Sequence, residues 1–292
     1  MRNLKANLLE LVRHTSAELP NDVVNAITSA GTQEQEGSNA QYAMNIIMSN
    51  IDMAKLKSAP LCQDTGSILF FVKAPKGFDQ LAFEKAAREA VAEATARGYL
   101  RQNSVDSLTG KNTGNNLGPG SPAIHFRQHR GTRADVRLIL KGGGCENVGA
   151  QYSLPDVRLN ANRDLDGVRK AILDAVIQAQ GKGCGPGILG VCIGGDRTTG
   201  YVHSKEQLLR TMDHLNPEPA LATLEKDIVV SANKLGIGPM GFGGATTLLG
   251  CKIGALNRLP ASYFVSISYM CWAYRRQGFL LNDNGKIVEW LY

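Results

Sequence analysis

The sequence contains no Cys-x-x-Cys pair, although six of its 292 residues are cysteines. Zinc ribbons, thioredoxin-like redox sites and ferredoxin-type clusters all place cysteines close together in the chain, so this absence excludes them. No apolar run approaches the roughly 18 residues that a membrane span needs, and the N-terminus lacks the hydrophobic region of a signal peptide. We therefore expect a cytoplasmic protein that has no disulfide framework and does not enter the membrane.

Aromatic residues make up only 6% of the chain, and its net charge of +6 is scattered without a run of like charges. A nucleic-acid-binding surface would combine clustered basic residues with stacking aromatic rings. The composition therefore argues against nucleic acid and suits a small anionic substrate. The glycine-rich stretches after Leu140 and Ile193 match neither Gly-x-Gly-x-x-Gly nor a P-loop, which leaves nucleotide binding without support.

Apolar spacing predicts helices within residues 1–57, followed by interleaved strands and helices. The strand candidates are short apolar runs at 68–72, 136–140, 188–193, 246–253 and 263–269, and the later helix candidates lie at 83–96, 168–180, 205–212 and 219–234. A glycine- and asparagine-rich loop at 103–120 is too long to be a mere connection. The order predicts an α/β fold: one compact body over residues 1–292 with a helical N-terminal layer and a mixed sheet. Functional loops are expected at strand and helix ends.

Three cysteines, Cys62, Cys184 and Cys271, lie in turn-like or glycine-bearing segments beside polar residues, far apart in the chain. Three convergent thiolates would suit a metal centre that keeps one coordination position free for substrate. Cys192 and Cys251 lie in or beside apolar runs and are expected to be small buried hydrophobic residues. Cys145 directly follows a glycine triplet, and both interpretations stay open for it.

The surroundings of these cysteines resemble the α-type catalytic domain of the iron–sulfur hydro-lyases, the class I fumarase and L(+)-tartrate dehydratase α family. The matching segments are Pro60-Leu61-Cys62-Gln63-Asp64-Thr65-Gly66, Lys141-Gly142-Gly143-Gly144, Cys184 followed by Gly194-Gly195, and Cys271-Trp272-Ala273 with Arg275. The resemblance implies a [4Fe–4S] cluster held by Cys62, Cys184 and Cys271, with the fourth iron left without a protein ligand. It also implies reversible hydration of a C4 dicarboxylate, fumarate to malate or tartrate to oxaloacetate. In that chemistry the exposed iron acts as a Lewis acid on the departing hydroxyl.

The same resemblance implies that Gln63 and Asp64 contact substrate beside the open iron, with Asp64 as the catalytic acid–base group. Alternatively, Asp64 is an ordinary turn-forming residue. Arg101 corresponds to an arginine that clamps a substrate carboxylate, the alternative being a helix-terminal arginine that meets the helix dipole.

Glycines and a lysine complete the residues that the resemblance singles out. Gly143 and Gly144 would let backbone amides approach the substrate, unless they only mark a tight turn. Lys141 is expected to be a solvated lysine, with neutralisation of the cluster's negative charge as the alternative.

Two departures from the family pattern bear on function. Leu259 stands where the family commonly has a histidine, and leucine can neither titrate nor bind a carboxylate, so the substrate and the pocket chemistry stay open. The family's smaller second domain does not occur before Tyr292. We therefore expect a separate β-type subunit and a dimer of α/β pairs, unless the sequence is a fragment. The alternative function is a non-catalytic iron–sulfur module or sensor, which would need the cysteines but not Gln63 and Asp64.

Overall fold

The computed structural model of the chain describes residues 3–292. These residues form two compact units, each with its own sheet and its own hydrophobic core. The first unit consists of the residues up to Asn21, Ser49–Gly143 and Ala273–Tyr292, and the second of Asp22–Met48 and Gly144–Trp272. The α/β class, the helical N-terminal layer and the mixed character of the sheets agree with the sequence prediction.

The helices are α1 (Leu4–Ala17), α2 (Asn21–Gly31), α3 (Asn39–Lys57), α4 (Gln80–Ala96), α5 (Gly143–Asn147), α6 (Leu165–Ala179), α7 (Arg197–Gln207) and α8 (Pro219–Asn233). The strands are β1 (Ser67–Ala74), β2 (Ala123–Gln128), β3 (Ala134–Lys141), β4 (Ala150–Ser153), β5 (Gly187–Ile193), β6 (Leu248–Ala255), β7 (Phe264–Met270), β8 (Arg276–Leu281) and β9 (Ile287–Trp290). None of the helices between residues 3 and 292 is both long enough and apolar enough to cross a membrane.

The first unit is a five-stranded mixed sheet in the order β2-β1-β3-β8-β9, with α1 and α4 packed together. Only β1 and β2 run parallel; the other pairs are antiparallel. The helix α4 begins where the Asp79 carboxylate accepts a hydrogen bond from the Ala82 amide, which satisfies an otherwise unpaired donor of the first turn. Its apolar face, with Phe83 at the centre, and the α1 face around Leu8 are fully buried in the core of this unit.

The second unit is a four-stranded mixed sheet in the order β4-β7-β5-β6, covered by α6, α7 and α8. The central strand β5 is buried at every residue, because it has a neighbouring strand on each side and helices packed on the sheet. The strands β5 and β7 are antiparallel and pair Ile188 with Met270. The start of β5 and the end of β7 therefore lie side by side at the same end of the strands.

Candidate functional site

In the first unit, the Asp64 carboxylate is the point where three loops meet. Its Oδ1 accepts hydrogen bonds from the Gly66 amide at 2.8 Å and from Asn103 Nδ2 at 2.6 Å, and its Oδ2 accepts from the Gly143 amide at 2.6 Å. The bond to Gly66 is an Asx turn, as one interpretation of the sequence expected. The other two bonds join Asp64 to distant parts of the chain, so its role exceeds that of a local turn.

The backbone amide of Asp64 also donates to the sulfur of Cys62 at 3.4 Å. Amide donors to a sulfur stabilise its thiolate form and are typical of the surroundings of cluster ligands. The half-buried Cys62 therefore lies in the same loop as Asp64 and is in direct contact with its backbone.

Thr65 and Asn116 hold the neighbouring loop in place. The buried Thr65 hydroxyl donates to the Arg101 carbonyl at 2.8 Å and accepts from the Arg101 amide at 2.9 Å. Asn116, which is 2% exposed, accepts from the Asn103 amide and donates to the Arg101 carbonyl. These bonds fix the backbone of residues 101–103 beside Asp64.

The side chains of Arg101 and Gln63 are exposed. Hydrogen bonds at Arg101 involve only its backbone, and its guanidinium makes no ion pair within residues 3–292. It lies five residues beyond the end of α4, and since the dipole effect is confined to the last turn, the helix-terminal interpretation is not supported. The guanidinium remains available to an anion from solvent.

Close packing of backbone around Asp64 depends on glycine at position 66. Gly66 has a φ of +76°, and a Cβ at this position would overlap the carbonyl group of Lys141. Gly143 and Gly144 are exposed and begin the short helix α5, where the sequence had suggested a turn. Because the Gly143 amide donates to Asp64, this contact orients the carboxylate.

In the second unit, Cys184 precedes the first residue of β5 and Cys271 follows the last residue of β7, at the same end of the sheet. Cys184 adopts a left-handed backbone conformation with a φ of +54° after the 3-10 turn Gln180–Gly183. Its carbonyl accepts a hydrogen bond from the amide of Trp272 at 3.3 Å, which joins the two cysteine-bearing segments. The fold of this unit therefore brings together two of the three cysteines that the sequence analysis selected.

Cys145 accompanies this pair. The Cys271 amide donates to the sulfur of Cys145 at 3.3 Å, and both residues are buried. Burial raises the pKa of Tyr269, and the neighbouring thiols of Cys271, Cys145 and Cys184 contribute in the same direction. Its burial fits the interpretation as a small buried hydrophobic residue, while its sulfur accepts a hydrogen bond from the backbone of a candidate ligand, so both interpretations of Cys145 stay open.

Cys192 and Cys251 are buried hydrophobic residues, as predicted. They are 0% and 3% exposed, in the central strand β5 and in β6. Burial raises the pKa of Cys192 to about 12, and it also raises the pKa of Cys251. Both therefore remain thiols at neutral pH, and a thiol is a poor metal ligand.

The third selected cysteine, Cys62, belongs to the first unit, whereas Cys184 and Cys271 belong to the second. Within residues 3–292, no group of three or more His, Cys, Asp or Glu side chains is arranged to hold a single metal ion. The thiolates of a [4Fe–4S] cluster bind separate irons and so lie farther apart than the ligands of one ion. The set of three ligands remains a prediction.

Three cations at the ends of β3 and β8 are almost completely buried. Lys141, Arg275 and Arg276 are 0%, 1% and 0% exposed, so the expectation that Lys141 is solvated was wrong. The guanidinium of Arg276 lies over the rings of Tyr274 and Tyr292, at 4.4 and 4.6 Å from their centroids. Arg275 has no hydrogen-bond partner for its Nε, Nη1 or Nη2 within residues 3–292. This concentration of buried positive charge suits an anionic group.

Leu259 is 72% exposed in the loop after β6. Together with Asp196 and Arg258 it lines an open cavity of about 300 Å³ in the second unit. The Arg258 guanidinium lies over the ring of Tyr263 and donates to three carbonyls of its own loop. The Arg258 guanidinium therefore serves to stabilise the loop in which it lies.

Sequence reasoning did not select Asn103, although its amide donates directly to Asp64. The only signal was the unusual length and asparagine content of the loop at 103–120. Its partner depends on a contact across 39 residues, which no local pattern encodes.

Comparison with known proteins identifies the family. A family model described as fumarate hydratase (fumerase) matches residues 5–279. A Geobacillus stearothermophilus protein named as a class I fumarate hydratase is 52% identical over the whole of this chain, which spans only 58% of that relative's length. A Methanocaldococcus jannaschii protein named as an L(+)-tartrate dehydratase subunit alpha is 32% identical, over 92% of this chain and 94% of its own. The L(+)-tartrate dehydratase subunit alpha of Escherichia coli K12 is 31% identical, over 91% of this chain and 87% of its own. The chain therefore belongs to the fumarate hydratase (fumerase) family.

Proposed function

We propose that residues 1–292 form the α-type catalytic domain of a hydro-lyase that adds water to, or removes it from, a C4 dicarboxylate. One observation carries the proposal: the Asp64 carboxylate is oriented by three hydrogen bonds while its own amide donates to Cys62. An acid–base group held in one orientation beside a metal-binding sulfur is what dehydration of a hydroxy acid requires. Fumarate, malate and tartrate are the substrates that the names of the relatives suggest.

Cys62, Cys184 and Cys271 would hold a [4Fe–4S] cluster. The cysteine donor set suits such a cluster, as do the buried cations Lys141 and Arg275. When bound, the cluster would supply a Lewis acid for the hydroxyl that leaves the substrate. The half-buried state of Cys62 and Cys184 leaves room for a ligand from solvent.

Asp64 and Arg101 would handle the substrate. In the dehydration direction, the C–O bond breaks, and a base supplied by the β-type segment would take the proton from the adjacent carbon. An Asp64 carboxylate oxygen would carry the proton that the departing hydroxyl needs to become water. The exposed guanidinium of Arg101 would bind a substrate carboxylate through two parallel hydrogen bonds. Gln63 and the backbone at Gly143 and Gly144 would line the same pocket.

A β-type segment would complete the active site. Two of the relatives are named as alpha subunits, which supports a separate partner subunit, whereas the Geobacillus relative is considerably longer than this chain. We propose that the segment contributes further groups for the substrate carboxylates and that two α/β pairs associate. An iron–sulfur module or sensor without catalysis is the alternative, and it leaves the ordered Asp64 unexplained.

The test begins with anaerobic loading of the purified protein with iron and sulfide. We expect about four irons per chain, with uptake reduced in Cys62→Ser, Cys184→Ser and Cys271→Ser but retained in the control variant Cys192→Ser. Dehydratase assays with fumarate, malate and tartrate then follow, with and without a β-type partner protein. Turnover that requires both components is the expected result. A stable cluster without turnover of any dicarboxylate in either assay would favour the sensor.

A further inference from the structure

Arg275 is a buried charge without a counter-ion. It is 1% exposed, and none of its three guanidinium nitrogens has a hydrogen-bond partner within residues 3–292. The other almost completely buried arginine differs in this respect, because Arg276 lies over two tyrosine rings, and the half-buried Arg210 forms an ion pair with Glu225. Within residues 3–292, Arg275 therefore differs from Arg276 in having neither a hydrogen-bond partner nor an aromatic ring against its guanidinium.

An arginine cannot relieve this situation by losing its proton, because the guanidinium remains charged at any pH at which the protein is folded. A buried charge is tolerated when an opposite charge and hydrogen bonds replace the lost water. A bridging water could satisfy some of the N–H groups but could not neutralise the charge. The working protein must therefore place an anion against Arg275.

The backbone connects Arg275 to the Asp64 loop. The Leu140 amide donates to the Arg275 carbonyl at 3.0 Å, and β3 then leads through Lys141 to Gly143. The Gly143 amide binds Asp64, whose own amide donates to Cys62. Arg275 also follows Cys271 by four residues in the sequence. The carboxylate of Asp64 makes no ion pair with Arg275 and already accepts three hydrogen bonds.

We propose that Arg275 is the permanent counter-ion of the anionic thiolate-bound iron–sulfur centre, an inference that rests on the proposed function. Three thiolates outweigh the positive charge of an oxidised [4Fe–4S] core, so the centre as a whole is an anion. A resident anion suits a side chain with no exposure to solvent, whereas the exposed Arg101 suits an exchanging substrate carboxylate. Arg275 thus acts as a positioning and tuning residue and does not touch substrate.

Removing the charge should have opposite effects on the apo and loaded proteins. Without the cluster, Arg275→Met eliminates an uncompensated buried charge, so the melting temperature should rise, by about 2–6 °C. With the cluster, the same change removes the counter-ion. The cluster should then be lost to a chelator at least about tenfold faster, since breaking a buried ion pair costs more than one decade in an equilibrium constant. Its reduction potential should become more negative, because reduction adds negative charge that no cation compensates.

The experiment measures the melting temperature of the apo protein, chelator-driven cluster loss and the cluster reduction potential, all without substrate. Arg275→Lys retains the charge and should keep the cluster better than Arg275→Met. Arg276→Met is the matched control, since that arginine has its aromatic partners and its loss should lower the apo melting temperature.

Two results would overturn the inference. A fall in the apo melting temperature with Arg275→Met, like that of the control, would mean that the arginine has an ordinary structural partner. Unchanged cluster loss and an unchanged reduction potential in Arg275→Met would mean that this arginine is not the counter-ion of the cluster. A wild-type protein that binds no iron would instead contradict the proposed function. The role of Arg275 as the counter-ion of the cluster would then be contradicted as well.

Discussion

Asp64 both joins three loops and stands next to a predicted cluster ligand, so a substitution there probes two roles at once. Asp64→Asn should lower kcat by roughly 10²–10⁴, because an amide cannot carry the proton. Iron content should stay unchanged, since Cys62 is untouched. The measurement is steady-state kinetics together with iron analysis of the same preparation.

Asn103→Ala provides the control for loop geometry. It removes one donor to Asp64 and should cost about 1 kcal/mol of unfolding free energy, while the carboxylate remains. A loss of kcat as large as that of Asp64→Asn would indicate that the position of the loop matters and proton transfer by Asp64 does not.

Arg101 is exposed and has no side-chain partner within residues 3–292, so its substitution should affect binding and leave stability unchanged. Arg101→Lys should raise KM about two- to tenfold with little change in kcat, because lysine cannot make two parallel hydrogen bonds to a carboxylate. Arg97→Lys, at another exposed arginine just after α4, should change neither parameter. Equal KM values for wild type and Arg101→Lys would remove Arg101 from the substrate site.

At the residue scale, the sequence could identify candidate site residues, but it could not predict which other residues they contact. Cys62, Cys184, Cys271 and Asp64 were selected because recognisable segments surround them. Asn103 was missed because its importance arises from a contact between distant segments. Lys141 was misjudged because isolated lysines are usually solvated, whereas here the end of β3 is buried.

The connection between the Cys62 loop and β1 requires glycine at position 66 because of its positive φ angle and because a Cβ would overlap Lys141. Comparison with Gly77 separates the two effects. Gly66 and Gly77 both have positive φ angles, +76° and +80°, but only at Gly66 would a Cβ meet other atoms. Gly77→Ala should lose about 1–2 kcal/mol of unfolding free energy from backbone strain alone. Gly66→Ala should lose about 2–5 kcal/mol, because overlap with Lys141 adds to the strain. Denaturant unfolding measures both, and equal losses would show that the backbone of Lys141 can move aside.

At the element scale, strongly patterned segments were predictable and weakly patterned ones were not. The apolar runs at 136–140 and 188–193 became β3 and β5, and the alanine-rich run at 83–96 became most of α4. The strands β2 and β8 were missed, since β2 is only half-buried and β8 begins with a buried arginine and glutamine. The helix expected at 205–212 is instead α7, which begins at Arg197 after an Asp196 cap and has few apolar residues. In these cases tertiary packing and helix capping determined where the strands and the helix form, and local hydrophobicity did not.

Over the whole molecule, buried thiols and phenols should make the protein sensitive to alkali. Burial raises the pKa of Cys192 and of Tyr201 to about 12, and it also raises that of Tyr269. In the unfolded chain these groups titrate near 8.5 for cysteine and about 10 for tyrosine. The folded state therefore retains protons that the unfolded state releases, so this stability is complete below about pH 8 and is lost as pH rises towards 12.

The melting temperature should accordingly fall steadily above about pH 9. In Cys192→Ala, the fall between pH 9 and pH 12 should be less steep than in the wild type, even though the variant starts from a lower value because of the small cavity. Parallel curves for the two proteins would mean that Cys192 does not contribute to the alkaline transition.

The division of the first unit into separate stretches of chain has a consequence for biosynthesis. The strand β3 emerges from the ribosome well before its neighbour β8, because the whole 144–272 segment is made between them. At about 5–20 residues per second, this delay lasts roughly 6–26 s. Throughout that interval β3 presents an unpaired edge of apolar residues, which is the kind of surface that recruits other strands. The nascent chain should therefore depend on chaperone protection most strongly while residues 144–272 are being translated.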